Sequence, residues 1–505
     1  MRKAEIRSQT FRLEGAHKAE DGPAVSLSLV WAKFSQFWRL LESRPALVFI
    51  LLSCAFGSVV SVIVPPLRGP DEIAHFLRIY SYTRGELLPI AQAGDRKGIL
   101  VGPQLYGELS FFKNAGERFA KDREQGLRYG KIMNERPRFG GTLQWDDHAA
   151  TFLPFAGSEG YSPIAYAPYI PAAIVGNLLA LDFPNMLVLM RLFGVLAFTA
   201  VAAYAITVMP TLKWAFVLIA MLPVSLYNRS VLSADGAALA YALVITALCF
   251  RAVYKHGRVW ERSLWMTLCA LSKQPQIIFT VLELMACRTT EPVRRWRNVA
   301  LVITPSLILS PLWVMAVSGE IGAWRLLESE TYPREHFDPL WKLGYMWEHP
   351  IHFPLAAWNA VTVWGNNLWP ELIGILGWQD IPLRNWNYVA LTILLFIVPL
   401  QKLNVEGAVR VRVAVITGLA ALGYVVLVYL IFFITYTPIS VDHVRGVQGR
   451  YFLIALPPTA IFLAAMINLA LPRGAPAMAA IAGVVLSGIA TINALFEAHW
   501  LQPHQ

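Results

Sequence analysis

Long apolar runs alternate with polar segments along the whole chain. The first run covers residues 46–64 and is long enough to span a bilayer. Others follow at 186–208, 214–227, 236–253, 263–271, 277–287, 299–317, 388–400, 413–436, 451–471 and 475–495. The pattern predicts about eleven membrane helices. Two of the pieces, 263–271 and 277–287, are short. They predict a bent hairpin buried by its neighbours, with Ser272-Lys273-Gln274-Pro275 at the apex.

Two long polar segments interrupt this series, at 65–162 and 319–386. Both read as exterior loop domains, the first with short helices beginning near Pro70. The run 164–181 sits between these readings. If it spanned, every later loop would change side, and the basic loops at 255–262 and 288–297 would lie outside, against the positive-inside rule. Its start is rich in proline and tyrosine. It is therefore expected to lie along the outer interface as a juxtamembrane element.

On this topology the N-terminus is inside and the C-terminus outside. Residues 1–45 form a basic cytoplasmic tail, in which 31–41 has the apolar spacing of an amphipathic interfacial helix. A transmembrane module covers 46–318, including an exterior loop at 65–185. The exterior tryptophan-rich loop 319–386 and C-terminal membrane helices at 387–505 complete the chain.

Composition sharpens the class. Of the 505 residues, 56% are hydrophobic and 15% charged. A soluble chain carries about a quarter charged residues. The fold class is therefore an all-α polytopic membrane protein. The net charge of +10 gathers largely in the tail and short loops, so no nucleic-acid partner is expected. The four cysteines, Cys54, Cys249, Cys269 and Cys287, fall within or at the ends of apolar runs, which indicates neither a disulfide framework nor a zinc site. The segment 319–386 holds eight tryptophans, Trp324, Trp341, Trp347, Trp358, Trp364, Trp369, Trp378 and Trp386. They read either as an aromatic belt in contact with membrane lipids or as faces on which sugar rings stack.

The candidate chemistry gathers at the outer ends of the runs. Asp71, Glu72 and His75 follow the first. Carboxylates at a membrane surface can act as bases, hold a cation or dock a polar group. Asp235 begins the run at 236–253, and Lys273 caps the hairpin. Gln379 and Asp380 lie in Gly377-Trp378-Gln379-Asp380. Gln448, Arg450 and Tyr451 open a later run. Each has a plainer reading. Asp71 and Glu72 are typical acids for a helix start, with His75 one turn on to orient Asp71. Asp235 could be an N-cap, and Lys273 and Arg450 could snorkel to headgroups. His443 and Arg445 read as ordinary loop charges.

Taken together, Pro70-Asp71-Glu72-x-x-His75-Phe76, Ser233-Ala234-Asp235-Gly236, Lys273-Gln274-Pro275, Gly377-Trp378-Gln379-Asp380 and Gln448-Gly449-Arg450-Tyr451-Phe452 resemble the bacterial membrane family DUF2142. The resemblance runs from about Pro45 to the last apolar run. That family in turn resembles the GT-C superfamily of glycosyltransferases, which take a sugar from a polyprenyl-phosphate carrier on the outer side of the membrane.

The resemblance implies a GT-C-like bundle with juxtamembrane helices in its exterior loops, placed in the bacterial inner membrane with the site facing the periplasm. It implies catalytic roles for Asp71 or Glu72, and for Asp235. His75, Lys273, Gln379, Asp380, Gln448, Arg450 and Tyr451 would then bind a polyprenyl-phosphate-linked sugar donor. The acceptor would be a lipid, a glycan or a protein. A divalent cation held by Asp71, Glu72 and Asp235 is a further candidate. Three rival classes share these features: a transporter or flippase for a lipid-linked sugar, a polysaccharide polymerase or ligase using exterior arginines, and a non-catalytic scaffold.

Overall fold

Helices form where the apolar runs predict them, and their lengths separate spans from shorter pieces. The computed structural model describes residues 36, 38–92, 96–137, 151–155, 157–254, 257–286, 292–317, 331–469, 471–472 and 474–501. Among these, seven helices are long and apolar enough to cross a bilayer: Pro45–Ile63, Phe183–Val208, Ala234–Tyr254, Val293–Val317, Gly407–Tyr436, Gly449–Ile467 and Ala475–His499. The chain is a helical polytopic membrane protein.

The expectation of about eleven spans resolves into these seven and four weaker pieces. The run at 214–227 is broken into Lys213–Ala220 and Pro223–Ser230, because Pro223 cannot continue the first helix. Asn385–Ile397 has only 13 residues. The hairpin legs are Val259–Ser272 and Gln274–Ala286, and the return leg is a 3₁₀ helix. A 3₁₀ helix rises about 2.0 Å per residue, so this leg reaches further than an α-helix of the same length.

The helix Tyr169–Leu178 has ten residues. At about 1.5 Å per residue it covers half the hydrocarbon thickness. Its length agrees with an element that does not cross.

Residues 1–43 separate from the rest as their own unit, in which 38–43 are helical. Most of the expected amphipathic segment 31–41 lies outside the described residues, as does Trp324.

From Arg44 onward the spans pack around the almost wholly buried helix Ala234–Tyr254. The first span meets Phe183–Val208 through a Ser53–Thr199 hydroxyl pair at 2.6 Å. Gln276 of the hairpin donates to the Ala238 carbonyl at 2.8 Å.

The segment after the first span builds a cap. Its helix Pro103–Asp122 buries Leu105, Leu109, Phe112, Ala115 and Phe119, a single helical face. The sequence reading foresaw only short helices here. The cap also carries a three-stranded antiparallel sheet, β1 (Ile90–Gln92), β2 (Arg96–Val101) and β3 (Thr151–Pro154), with Ile99 opposite Leu153. The long insertion between β2 and β3 hides this pairing from local periodicity.

Charge sorts the two ends of the bundle. Asp235 and Arg251 sit at opposite ends of one span, about 24 Å apart at 1.5 Å per residue. Arg44, Arg294, Arg295 and Arg297 lie at or before the starts of spans whose other ends meet the cap. Arg410 and Arg412 open the span that ends at Tyr436, beside the cavity described below.

Candidate functional site

Asp71 occupies the left-handed backbone region, at φ 53°, just ahead of the helix Glu72–Thr83. Aspartate tolerates this conformation better than most residues. It turns the two neighbouring acids apart. Asp71 makes no capping bond among the described residues, and its side chain stays 54% exposed. Glu72 is fully buried.

Glu72 belongs to the scaffold. Arg191 Nε and Nη2 donate to its two oxygens at 2.8 and 2.6 Å. The backbone N–H groups of Gly69 and Leu232 add bonds at 3.0 Å each. Arg191 also donates to the carbonyls of Ser61, Val64 and Pro65. This network fastens the end of the first span to Phe183–Val208. The expectation of a catalytic Glu72 is therefore corrected: its oxygens are occupied and turned from the cavity. The signal was in the sequence, because Arg191 is a charged residue inside an apolar run and such a charge demands a partner.

Asp71 faces a cavity of about 410 Å³. Pro70, Asp71, Ala74 and His75 form one wall and Gly157, Ser158, Glu159 and Tyr161 another. Ser233, Asp235, Gln448, Arg450 and Tyr451 close it where the long helices begin. With Phe432, Thr435 and Tyr436 added, five separate stretches of sequence meet at one place.

The charges there are ordered. Arg450 Nη2 lies 3.2 Å from Asp71 Oδ2, and its Nε lies 3.9 Å from Asp235 Oδ2. Lys273 Nζ lies 2.5 Å from Asp235 Oδ1 and 4.6 Å from the centre of the Tyr451 ring. Each cation sits against an acid, so neither side chain is simply extended to the headgroups. Asp235 is not the N-cap acid either. Ser233 Oγ accepts its backbone N–H at 3.0 Å, which leaves the Asp235 carboxylate to the cations.

The lining also holds polar groups suited to a polyhydroxylated ligand. Gln448 Oε1 is buried with no hydrogen-bond partner among the described residues. Such an acceptor calls for a donor. His75 Nδ1 lies 2.6 Å from the Tyr166 hydroxyl, so Tyr166 rather than Asp71 orients its ring. Burial pushes the His75 imidazole down to about 4, and it is neutral near pH 7. Burial likewise raises the Tyr161 phenol, which stays protonated. Glu159 and Tyr161 were not legible as site residues. They lie in an irregular loop that carries no periodic pattern.

Gln379 and Asp380 stand outside this cavity. Their segment is a tight turn with Gly377 and Gln379 both at φ 64°. Asp380 Oδ1 accepts the Trp378 N–H at 2.8 Å, and Oδ2 accepts from Arg68 at 2.7 Å. Arg123 donates to the Asp380 carbonyl at 2.7 Å. The motif clamps the cap to the bundle, which corrects its expected place in a substrate pocket.

Asp71, Glu72 and Asp235, the acids weighed as cation ligands, have separate partners. Glu72 points to Arg191 and Asp235 to Lys273, so the three acids do not converge. Among the described residues no group of three or more His, Cys, Asp or Glu side chains is placed to hold a metal ion.

This arrangement defines a class: a multi-pass helical membrane protein with a charged cavity roofed by a polar cap. Within that class, the chain belongs to the family described as predicted membrane protein (DUF2142), whose match covers residues 54–460. No curated protein and no solved structure gives a match to the chain.

Proposed function

We propose that the protein is a membrane glycosyltransferase that moves a sugar from a polyprenyl-phosphate donor to an envelope acceptor. The observation that carries this reading is the meeting of Asp71, Asp235 and Arg450 in one cavity at the mouth of the first span. The basic span ends lie away from the cap, so the positive-inside rule puts the cap outside. In a bacterium that is the periplasmic face of the inner membrane.

In this reading Asp71 is the base, because it is the acid with an exposed face and one bonded cation. It takes the proton of an acceptor hydroxyl. The acceptor oxygen bonds to the anomeric carbon while the bond from that carbon to the phosphate oxygen breaks. The lipid phosphate leaves with the electron pair, and Arg450 and Lys273 stabilise its charge. Asp235 holds the two cations in place. Gln448 accepts a sugar hydroxyl.

A second reading, a carrier that flips a lipid-linked sugar, is favoured by the break at Met221–Leu222 and the irregular hairpin, since broken helices are common in carriers. The polymerase or ligase reading rests on arginines acting without an essential carboxylate, and here Arg450 is tied to two acids.

Cells that carry only the Asp71→Asn form test the proposal. Their extracted lipids should accumulate a polyprenyl-phosphate-linked sugar on the outer leaflet, and mass spectrometry would identify the sugar. Accumulation on the inner leaflet would support the carrier instead. An unchanged lipid profile with unchanged envelope glycans would remove both readings.

A further inference from the structure

We infer that the protein carries a second, separate site that binds one anionic phospholipid against its last membrane helix. A groove of about 450 Å³ runs along Ala475–His499, and its lining shares no residue with the Asp71 cavity. Its polarity is graded along the helix. Leu486, Ile489 and Ala490 form the deep floor; Asn493 and Glu497 follow on the same face toward the cap. From Leu486 to Glu497 the helix rises about 16 Å. The cap end is fixed by His499, whose ring packs 5.0 Å from that of Phe119.

The upper wall is charged and aromatic. Arg123, Arg128, Arg384 and Trp386 line it together with the acids Glu124, Asp380 and Glu497, and with Arg68 held against Asp380 the cations outnumber the acids four to three. Asp380 is shared between Arg68 and Arg123, so that group carries one acid for two cations. The Arg128 guanidinium is held by the carbonyls of Leu501, Arg123 and Leu127, and makes no ion pair with a carboxylate among the described residues. Arg384 pairs with Glu497 at 3.0 Å, with side chains 72% and 51% exposed. Such an exposed pair is weak and opens readily to a better anion.

An independent observation points to a ligand. Asn387 lines the groove and is only 3% exposed, yet its Oδ1 has no hydrogen-bond partner among the described residues. A buried amide oxygen of this kind requires a donor. A phospholipid with a hydroxylated head group meets all three demands. Its phosphate sits among the arginines, a head-group hydroxyl donates to Asn387, and an acyl chain lies along Leu486 and Ile489. The Trp386 indole, 56% exposed, suits the head-group level. A free phosphate would satisfy the arginines but leave the apolar floor bare.

The test uses the full chain in phosphatidylcholine nanodiscs doped with phosphatidylglycerol bearing a diazirine on its acyl chain. Photolysis followed by peptide mass spectrometry should place cross-links between Leu486 and Ala494. The same probe on a phosphatidylcholine head group should label this stretch no more than it labels other lipid-facing helices. Arg128→Gln should lower the phosphatidylglycerol cross-link by about ten-fold, the scale of one lost charge-assisted bond to phosphate. Ile489→Trp fills the floor from an already half-exposed position and should lower it similarly without unfolding the protein. Millimolar inorganic phosphate should not compete. Equal labelling by both head groups, no response to either variant, or full competition by inorganic phosphate would each overturn the site.

Discussion

Lys273 Nζ lies 2.5 Å from Asp235 Oδ1, and the two side chains are only 9% and 12% exposed. Asp235 starts the central buried span, and Lys273 is the apex of the hairpin. Their pairing therefore pins the hairpin to the core while setting a cation beneath the cavity. Removing one partner from a buried pair leaves an uncompensated charge, whereas removing both does not.

This relationship predicts unequal costs. Asp235→Asn should destabilise the protein by about 3 kcal/mol, near the lower end for a broken buried pair. The Asp235→Asn, Lys273→Met double variant should regain a good part of that loss and remain inactive. A double-mutant cycle on thermal melts in one detergent measures the coupling. Strictly additive losses would mean that the pair does not form.

The two adjacent acids should separate cleanly by phenotype. Asp71→Asn should reach the membrane at normal levels and melt within about 0.5 kcal/mol of the parent, the range for a surface change. Its turnover should fall by about a hundred-fold or more, as expected for loss of a general base. Glu72→Gln should instead lower stability by about 3 kcal/mol, because Arg191 is then left buried without its counter-charge. Expression level, melting temperature and turnover of the two variants together check this. A stable but inactive Glu72→Gln would return Glu72 to the chemistry.

Much of this was legible in the sequence, and the reasons differ by element. The seven long spans follow from runs of apolar residues, which need no partner to be recognised. For 164–181 the charge argument points to an interfacial element, since the positive-inside rule counts whole loops, and the ten-residue helix Tyr169–Leu178 is short enough to agree with it. The meeting of Asp71, Asp235, Lys273 and Arg450 could be anticipated because all four sit at span ends on one side. What was missed depends on pairing. Sequence favours Asp71 over Glu72 as the base but leaves Glu72 an orienting or binding role at the site; its actual partner, Arg191, is 119 residues away. Asp380 looked like a ligand-binding acid, but its partners Arg68 and Arg123 come from the cap. The β2–β3 pairing crosses a helix-bearing insertion. Side-chain partners at such separations leave no trace in local periodicity.

Stability should fall in mild acid through His75. Its imidazole titrates near 4 when folded, against 6.5 as the ordinary value. The unfolded chain therefore binds more protons between those values, and stability rises with pH across that window. The share due to His75 is fully present above pH 6.5 and is lost as pH falls toward 4. A gap of this size amounts to roughly 3 kcal/mol. His75→Gln keeps a polar group facing Tyr166 but removes the titration. Its melting temperature should depend less on pH between 4 and 6.5 than that of the parent. Parallel curves for the two proteins would show that another group controls the acid limb.

Arg450 should be as sensitive to its backbone as to its own side chain. Gly449 passes so close to the 352–374 helix that an added Cβ would lie 1.9 Å from the Leu368 carbonyl oxygen and 2.7 Å from Glu371 Cβ. Glu371 Oε2 accepts the Gly449 N–H at 2.5 Å, which fixes the chain just before the arginine. Gly449→Ala should therefore push the 3₁₀ turn Gly449–Ala455 away from that helix and carry the guanidinium off Asp71. Two measurements distinguish this from general unfolding. Turnover should drop by about a hundred-fold, comparable with Arg450→Ala, while Arg450→Lys keeps a charge but loses the planar fork and recovers only part. The melting temperature of Gly449→Ala is read beside it, and turnover measured well below that temperature separates a displaced Arg450 from unfolded protein. If Gly449→Ala turns over normally, Arg450 does not need its present position, and the assignment of this arginine to the donor phosphate fails.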